Sequence, residues 1–196
     1  MPTYAALDAR VAAVAAGQHG AFSRSQAAAA GLSAAQVDRR VRSGVWTRVL
    51  PRVYRHSATP ESDLLLWSAA VLWAGRGCAL SHTTAAALWR IAGEPFDATE
   101  LVVPKVRAPE ARGVIVHRVG TLEVGDVRPV HGLPATSPVR TVIDLAGVLD
   151  DDGLRRSIER AVARGLVRLS GIVARLDALG SAGRPGAARL RRVVRD

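Results

Sequence analysis

The chain has 196 residues, 48% hydrophobic and 22% charged, and its 27 Lys+Arg against 17 Asp+Glu leave a net charge of +10. That size suits one large domain or two small ones, and the apolar content excludes general disorder. No apolar run approaches the ~18 residues of a membrane span, no secretory signal pattern opens the chain, and the single cysteine, Cys78, excludes an internal disulfide and a Cys-rich zinc site. The cytosol is the expected compartment.

The charge is unevenly placed. Residues 1–56 hold 8 basic and 2 acidic side chains, residues 57–150 hold 8 and 10, and residues 151–196 hold 11 and 5. Two basic ends around a slightly acidic centre suggest a polyanionic partner, in the first instance nucleic acid. Solvated, arginine-rich helix faces would give the same composition.

In chain order, residues 5–16 carry Leu7, Val11 and Val14 at helical spacing and stop at Gly17. Ser23 stands as an N-cap before Arg24 and the alanine run to Gly31, and Ser33 repeats the pattern for a helix ending at Gly44. Two short helices around a Gly-containing turn are a helix-turn-helix pattern. Val45–Val49 and Val53–Arg55 then read as two strands joined by Leu50-Pro51-Arg52, a wing. In the third helix, Ala34, Val37 and Val41 form the packing stripe, and Gln36, Arg39, Arg40 and Ser43 are left to read base edges in a major groove. Arg24, Arg42, Arg48, Arg52 and Arg55 are the expected phosphate or minor-groove contacts.

Beyond the wing, Thr59-Pro60 opens a helix to about Ala74 that is apolar on most sides, the expected core helix of a second domain. Ser81 caps a further helix with Leu88, Trp89 and Ile91. Strand-like runs follow at 100–103, 114–119 and 127–133, and Ser137-Pro138 opens another helix. Leu154, Ile158, Ala161 and Val162 share a helical face, with Arg155, Arg156, Arg160 and Arg164 around it. A last helix, capped near Ser181 or starting after Pro185, sets Leu190, Val193 and Val194 against Arg189, Arg191, Arg192 and Arg195. These basic helices suit DNA phosphates, RNA or a partner protein, or are solvated faces whose arginine stems cover the core. The expected fold class is α+β: a winged helix-turn-helix over 1–57, then a mixed α/β domain over 58–196 with a small sheet flanked by helices.

The stretch from His19 to Ser33, followed by Arg42-Ser-Gly-Val-Trp-Thr-Arg48 and Val53-Tyr54, resembles the N-terminal domain of AbiEi-family antitoxins of type IV toxin–antitoxin systems, in their actinobacterial form. The resemblance continues through Ala79–Trp89, Leu101–Pro104 and Gly132–Ala146, and so covers most of the chain. Family wings usually carry Gly immediately before the Val-Tyr pair; here Arg52 takes that place. The resemblance implies an antitoxin that binds inverted repeats in its own promoter, represses transcription and neutralises a cognate nucleotidyltransferase-like toxin, without requiring a tight complex with it. Paired half-sites would place two copies on the DNA.

Enzymatic readings find little support. Many proteins that resemble this chain through residue 190 continue into a very-short-patch-repair-like endonuclease, whose chemistry needs clustered carboxylates and usually a lysine. Lys105, the sole lysine, lacks an acid two residues before it, and Asp150-Asp151-Asp152 reads as a helix start. There is no Gly-x-Ser-x-Gly elbow and no Walker lysine, and Leu80 stands where a dinucleotide fingerprint begun at Gly75 needs its third glycine. His19, His56, His82, His117 and His131 show no metal-ligand spacing. Ser81-His82 reads as an N-cap and first-turn residue, and Cys78 as a buried small side chain. The expectation is a non-enzymatic protein with no cofactor and no metal. Two alternatives stay open: the DNA-targeting portion of such an endonuclease-family protein without its nuclease domain, and a simple transcriptional regulator.

Overall fold

Two capping boxes organise the first seventy residues in the computed structural model, which describes residues 3–92, 98–104, 110–120, 122–180 and 185–195. Helix α1 (Tyr4–Ala16) is capped by Thr3 and buries Leu7 and Val11. Ser23 accepts from the Gln26 amide while the Gln26 side chain returns to the Ser23 amide, and this reciprocal pair starts α2 (Arg24–Ala29). Ser33 and Gln36 do the same for α3 (Ala34–Arg42). A short strand that the sequence reading lacks, β1 (Ala21–Ser23), pairs antiparallel with β3 (Val53–His56), which also pairs with β2 (Trp46–Leu50). The sheet order is β1-β3-β2. Each strand contributes one buried aromatic side chain. Phe22 meets Trp46 edge-on at 4.7 Å between centroids, and Tyr54 lies 6.0 and 6.3 Å from the two. The winged helix-turn-helix is thus present.

The wing turns at Pro51-Arg52, and Arg52 has φ +65°, the left-handed conformation that glycine adopts without steric cost. Arg52→Gly is expected to stabilise the fold by about 0.5–1 kcal/mol, relief of the Cβ clash outweighing the added chain entropy. The urea midpoint checks it, and a midpoint at or below that of the parent would contradict the strain.

Helix α4 runs over Asp63–Ala74 and starts later than its sequence suggests. Thr59 is not its cap. The Thr59 amide bonds the His56 carbonyl in a turn, and Ser62 caps the helix by accepting from Leu65. Nor does α4 belong to the second domain. It packs on β1, β2 and β3, with Ala69 beside Ala21 and Val53, and the first compact unit extends to Arg76 rather than residue 57. An all-round apolar helix gives no periodic sign of which sheet it covers.

The second unit, Gly77–Asp196, holds a five-stranded sheet in the order β6-β5-β4-β8-β7. Its strands are β4 (Ala79–Leu80), β5 (Thr99–Pro104), β6 (Val114–Val119), β7 (Val127–Val130) and β8 (Leu133–Thr136). The β4–β8 and β5–β6 pairs are parallel, and the β4–β5 and β7–β8 pairs antiparallel. The single run expected at 127–133 is a hairpin, broken at His131-Gly132, where both residues have positive φ, as a two-residue type I′ turn requires. Helix α5 (His82–Trp89) packs on β5 and β8 and against α6 (Pro138–Leu145). Helices α7 (Asp151–Ala163), α8 (Leu169–Leu179) and α9 (Ala187–Arg195) complete a core of Val142, Ile143, Leu145, Leu154, Ile158, Ile172, Leu176 and Leu190. Val162, expected on the buried face of α7, is 42% exposed. Helix α8, absent from the sequence reading, has no side-chain cap, although Ile172 and Leu176 stand at helical spacing and Gly180 ends it. Ser181 and Lys105 lie outside the described residues.

One buried ion cluster ties this unit together. Arg140 on α6, 1% exposed, donates to Asp144 at 2.8 Å and to Asp126 at 3.1 Å, and Arg175 of α8 reaches Asp126 at 2.7 Å. Asp126 sits in a 3-10 turn (Val124–Asp126) ahead of β7.

Candidate functional site

The nine residues expected to meet DNA divide into three sets. Three arginines are occupied by the protein itself. Arg40 is only 8% exposed; its guanidinium donates to both oxygens of Asp8 on α1 at 2.7 and 3.1 Å and to the Gln36 carbonyl, and it lies over the Trp46 ring at 5.4 Å. Ala34, expected on the packing stripe, is exposed, whereas Arg40 is buried in the α1–α3 contact and so is a packing residue rather than a base reader. Arg24 clamps Asp38 through two bonds of 2.7 and 3.1 Å and donates to the Tyr54 hydroxyl. Those hydrogen bonds, Asp38 first, raise the Arg24 pKa further above its already high value. Arg55 donates to the carbonyls of His56, Ser57 and Thr59, which fastens the loop before α4.

Two polar candidates are partly engaged. The Gln36 side-chain Oε1 accepts from the Ser33 amide at 2.7 Å, and Ser43 donates to the Arg40 carbonyl at 3.2 Å. Arg39, Arg42, Arg48 and Arg52 differ: all are exposed, and their side chains make no hydrogen bond or ion pair among the described residues. Arg39 and Ser43 border a recess of about 340 Å³ at the foot of α3. Arg42 and Arg48 both act on the Asp38 carboxyl, which the Arg24 hydrogen bond, chiefly, holds below the usual carboxylate range. Arg42 of α3 and Arg48 of β2 are thus both felt by Asp38.

The basic C-terminal helices are less available than their composition suggests. Arg189 and Arg192 pair with Asp151, and Arg191 pairs with Asp177. Arg189 also donates to the carbonyls of Ala146 and Leu149. Asp150 caps α7 by accepting from Gly153, so the acidic run is a helix start.

The second unit also assembles a cluster that spacing in the sequence could not show. His82 opens α5 with φ +48°, and its ring stacks on His117 of β6 at 3.5 Å between centroids. His117 Nε2 donates to Glu100 Oε2 of β5 at 2.6 Å, and the other Glu100 oxygen accepts from the Thr83 amide and hydroxyl. Ser81 gives no side-chain cap to α5; its hydroxyl pairs with His82 Nδ1 at 2.9 Å. Burial first, then the neighbouring His117, pushes the His82 pKa down to about 3 against the pull of Glu100, so this imidazole is neutral. Burial raises the Glu100 carboxyl, but the His117 and Thr83 hydrogen bonds outweigh it and hold the group below its ordinary value.

The comparisons with known proteins agree with this architecture. A family model described as a transcriptional regulator, AbiEi antitoxin, matches residues 9–55, and one described as the AbiEi antitoxin C-terminal domain matches residues 76–192. Helix α4 lies between the two matches. No curated protein matches the chain. Among solved structures, the RV2827C protein from Mycobacterium tuberculosis is 15% identical, with a TM-score of 0.49 over 96% of this chain and 80% of that one, a likeness too slight to argue from. No described helix is long and apolar enough to cross a membrane. With its C-terminal domain model spanning more than half of its length, the chain belongs to the AbiEi antitoxin family, a family of antitoxins and transcriptional regulators rather than of enzymes.

Proposed function

We propose that this protein is an autoregulating antitoxin: its first unit binds inverted repeats in its own promoter and represses transcription, and its second neutralises a cognate nucleotidyltransferase-like toxin in the cytosol. The observation that carries the DNA half is the sorting of the arginines. Arg24, Arg40 and Arg55 are bound internally, while Arg39, Arg42, Arg48 and Arg52 stand exposed on α3 and the wing with no ion pair among the described residues. Cations left unpaired beside paired ones are suited to phosphates and base edges. In this reading Arg39 reads a base edge with Ser43 and Gln36 beside it, and Arg42, Arg48 and Arg52 hold backbone phosphates, with one copy on each half-site.

Anisotropy with duplex from upstream of the protein's own gene, against random duplex at two salt concentrations, tests the proposal. A preference of about 10³-fold or more for the promoter is expected. Equal affinity for both duplexes, with steep salt dependence, would reduce the arginines to general electrostatic attraction and overturn the autoregulator. The antitoxin half is tested by looking for a nucleotidyltransferase-like gene beside this one and co-expressing the two: growth should recover only when this chain is present, and the lack of such a gene would overturn this half.

A further inference from the structure

We propose that His82, Glu100 and His117 form a binding site for a divalent transition-metal ion of the zinc type, built where the start of α5 meets β5 and β6. One ring nitrogen from each histidine and one carboxylate oxygen of Glu100 all lie within 4.8 Å of one another. Two imidazoles and a carboxylate are the donor set that suits zinc and its neighbours in the first transition row; calcium and magnesium prefer oxygen alone.

The surroundings are those of a supported ligand set. The Ser81 hydroxyl holds His82 Nδ1 at 2.9 Å, fixing the ring's orientation. Thr83 binds one Glu100 oxygen through its amide and its hydroxyl, which leaves the other oxygen turned to the histidines. Ser81, His82 and Glu100 are all buried at the base, whereas the His117 side chain is 26% exposed and gives an ion its way in. The backbone at His82 keeps a left-handed φ of +48°, uncommon for any residue with a side chain and tolerated where the surroundings demand it.

Metal–ligand bonds of about 2.0–2.2 Å would bring the three donor atoms to roughly 3.3 Å from each other. As they stand, the two rings are stacked, with 20° between their planes, and His117 Nε2 is held by Glu100. Binding therefore requires the His117 ring to fan away from His82 and to exchange its hydrogen bond to Glu100 for the ion. Three protein ligands leave at least one coordination position for water. The ion would cross-link a helix start and two parallel strands, so its direct consequence is to stiffen this part of the sheet.

The test uses the full chain, stripped with EDTA and dialysed, then titrated with ZnCl₂ by calorimetry and with CoCl₂ by visible absorption. One equivalent should bind, with d–d bands of a nitrogen- and oxygen-ligated ion and a rise in Tm. His117→Gln, at the exposed rim, should abolish uptake while its metal-free circular dichroism matches the parent. Ser81→Ala should weaken uptake about 10–100-fold. His131→Asn, in the β7–β8 turn, should bind like the parent. Because a variant can fail to fold, nitrogen-15 imidazole spectra of the parent give an independent reading: zinc should shift the ring nitrogens of both His82 and His117. Absence of a stoichiometric site, retention of full affinity in His117→Gln, or shifts confined to the other histidines would each overturn the proposal and leave the cluster as a hydrogen-bonded network.

Discussion

Replacing Arg39 by alanine is expected to weaken binding to promoter DNA by about 1–3 kcal/mol, with a much smaller loss on random duplex. Arg39 is exposed on α3, its side chain bonds none of the described residues, and it borders the same recess as Ser43 and Gln36. A side chain with its full set of guanidinium donors available can make the paired bonds that one base edge offers and another does not. Arg48→Ala and Arg52→Ala should behave differently, weakening both duplexes about equally and lowering the salt slope by about one each. Arg40→Ala sets the third pattern. It strands Asp8 and removes the guanidinium over Trp46, so its loss should appear in unfolding before any change in base preference. Anisotropy on both duplexes, with urea melts of each variant, separates the three. An Arg39→Ala protein that loses equally on promoter and random DNA would show that α3 does not read bases through this side chain.

The largest effect on stability is expected at Arg140. Removing it leaves Asp126 and Asp144, both buried, without their shared guanidinium, and breaking a buried pair from one side costs about 3–5 kcal/mol. Arg140→Ala should therefore lower the urea midpoint sharply, and a loss under about 1 kcal/mol would mean that Arg175 alone compensates Asp126. Neutralising the acids together with the arginine (Arg140→Met with Asp126→Asn and Asp144→Asn) should recover much of the loss, because it is the uncompensated charge that costs most. The same cluster sets the response to acid. Burial alone would raise the Asp126 carboxyl, yet the Arg175 hydrogen bonds and the Arg140 charge prevail and hold it below its ordinary value. Its stabilising contribution is then complete above the unfolded aspartate pKa of about 3.9 and fades as the pH falls through the lower folded value. Acid unfolding of the parent should accordingly show a component below about pH 4 that the triple variant lacks.

Features that depend on neighbours three or four residues apart were legible in the sequence. Ser23 with Gln26 and Ser33 with Gln36 announced α2 and α3, Ser137-Pro138 announced α6, and the aspartate run announced α7. The helix-turn-helix and its wing follow from these signals, as does the set of arginines from which the exposed four are drawn. Strand β1 spans three residues and exists only through its pairing with β3, so no local pattern could show it. Helix α4 is apolar on nearly every side, so only packing could assign it to the first sheet.

Which arginines are held inside the protein and which stay exposed was likewise settled at long range. Arg40 finds Asp8 32 residues away, and Arg24 finds Asp38 14 away; in the sequence all of them look like the same basic face. The His82–Glu100–His117 cluster is a product of strand pairing too, since Glu100 and His117 stand 17 residues apart on neighbouring parallel strands. Composition, caps and periodicity encode what a residue does with its own helix turn, and they placed the DNA-binding unit and its charge. Which of those charges is spent inside the protein, and which polar groups converge in the second unit, depends on partners brought close only when the chain folds.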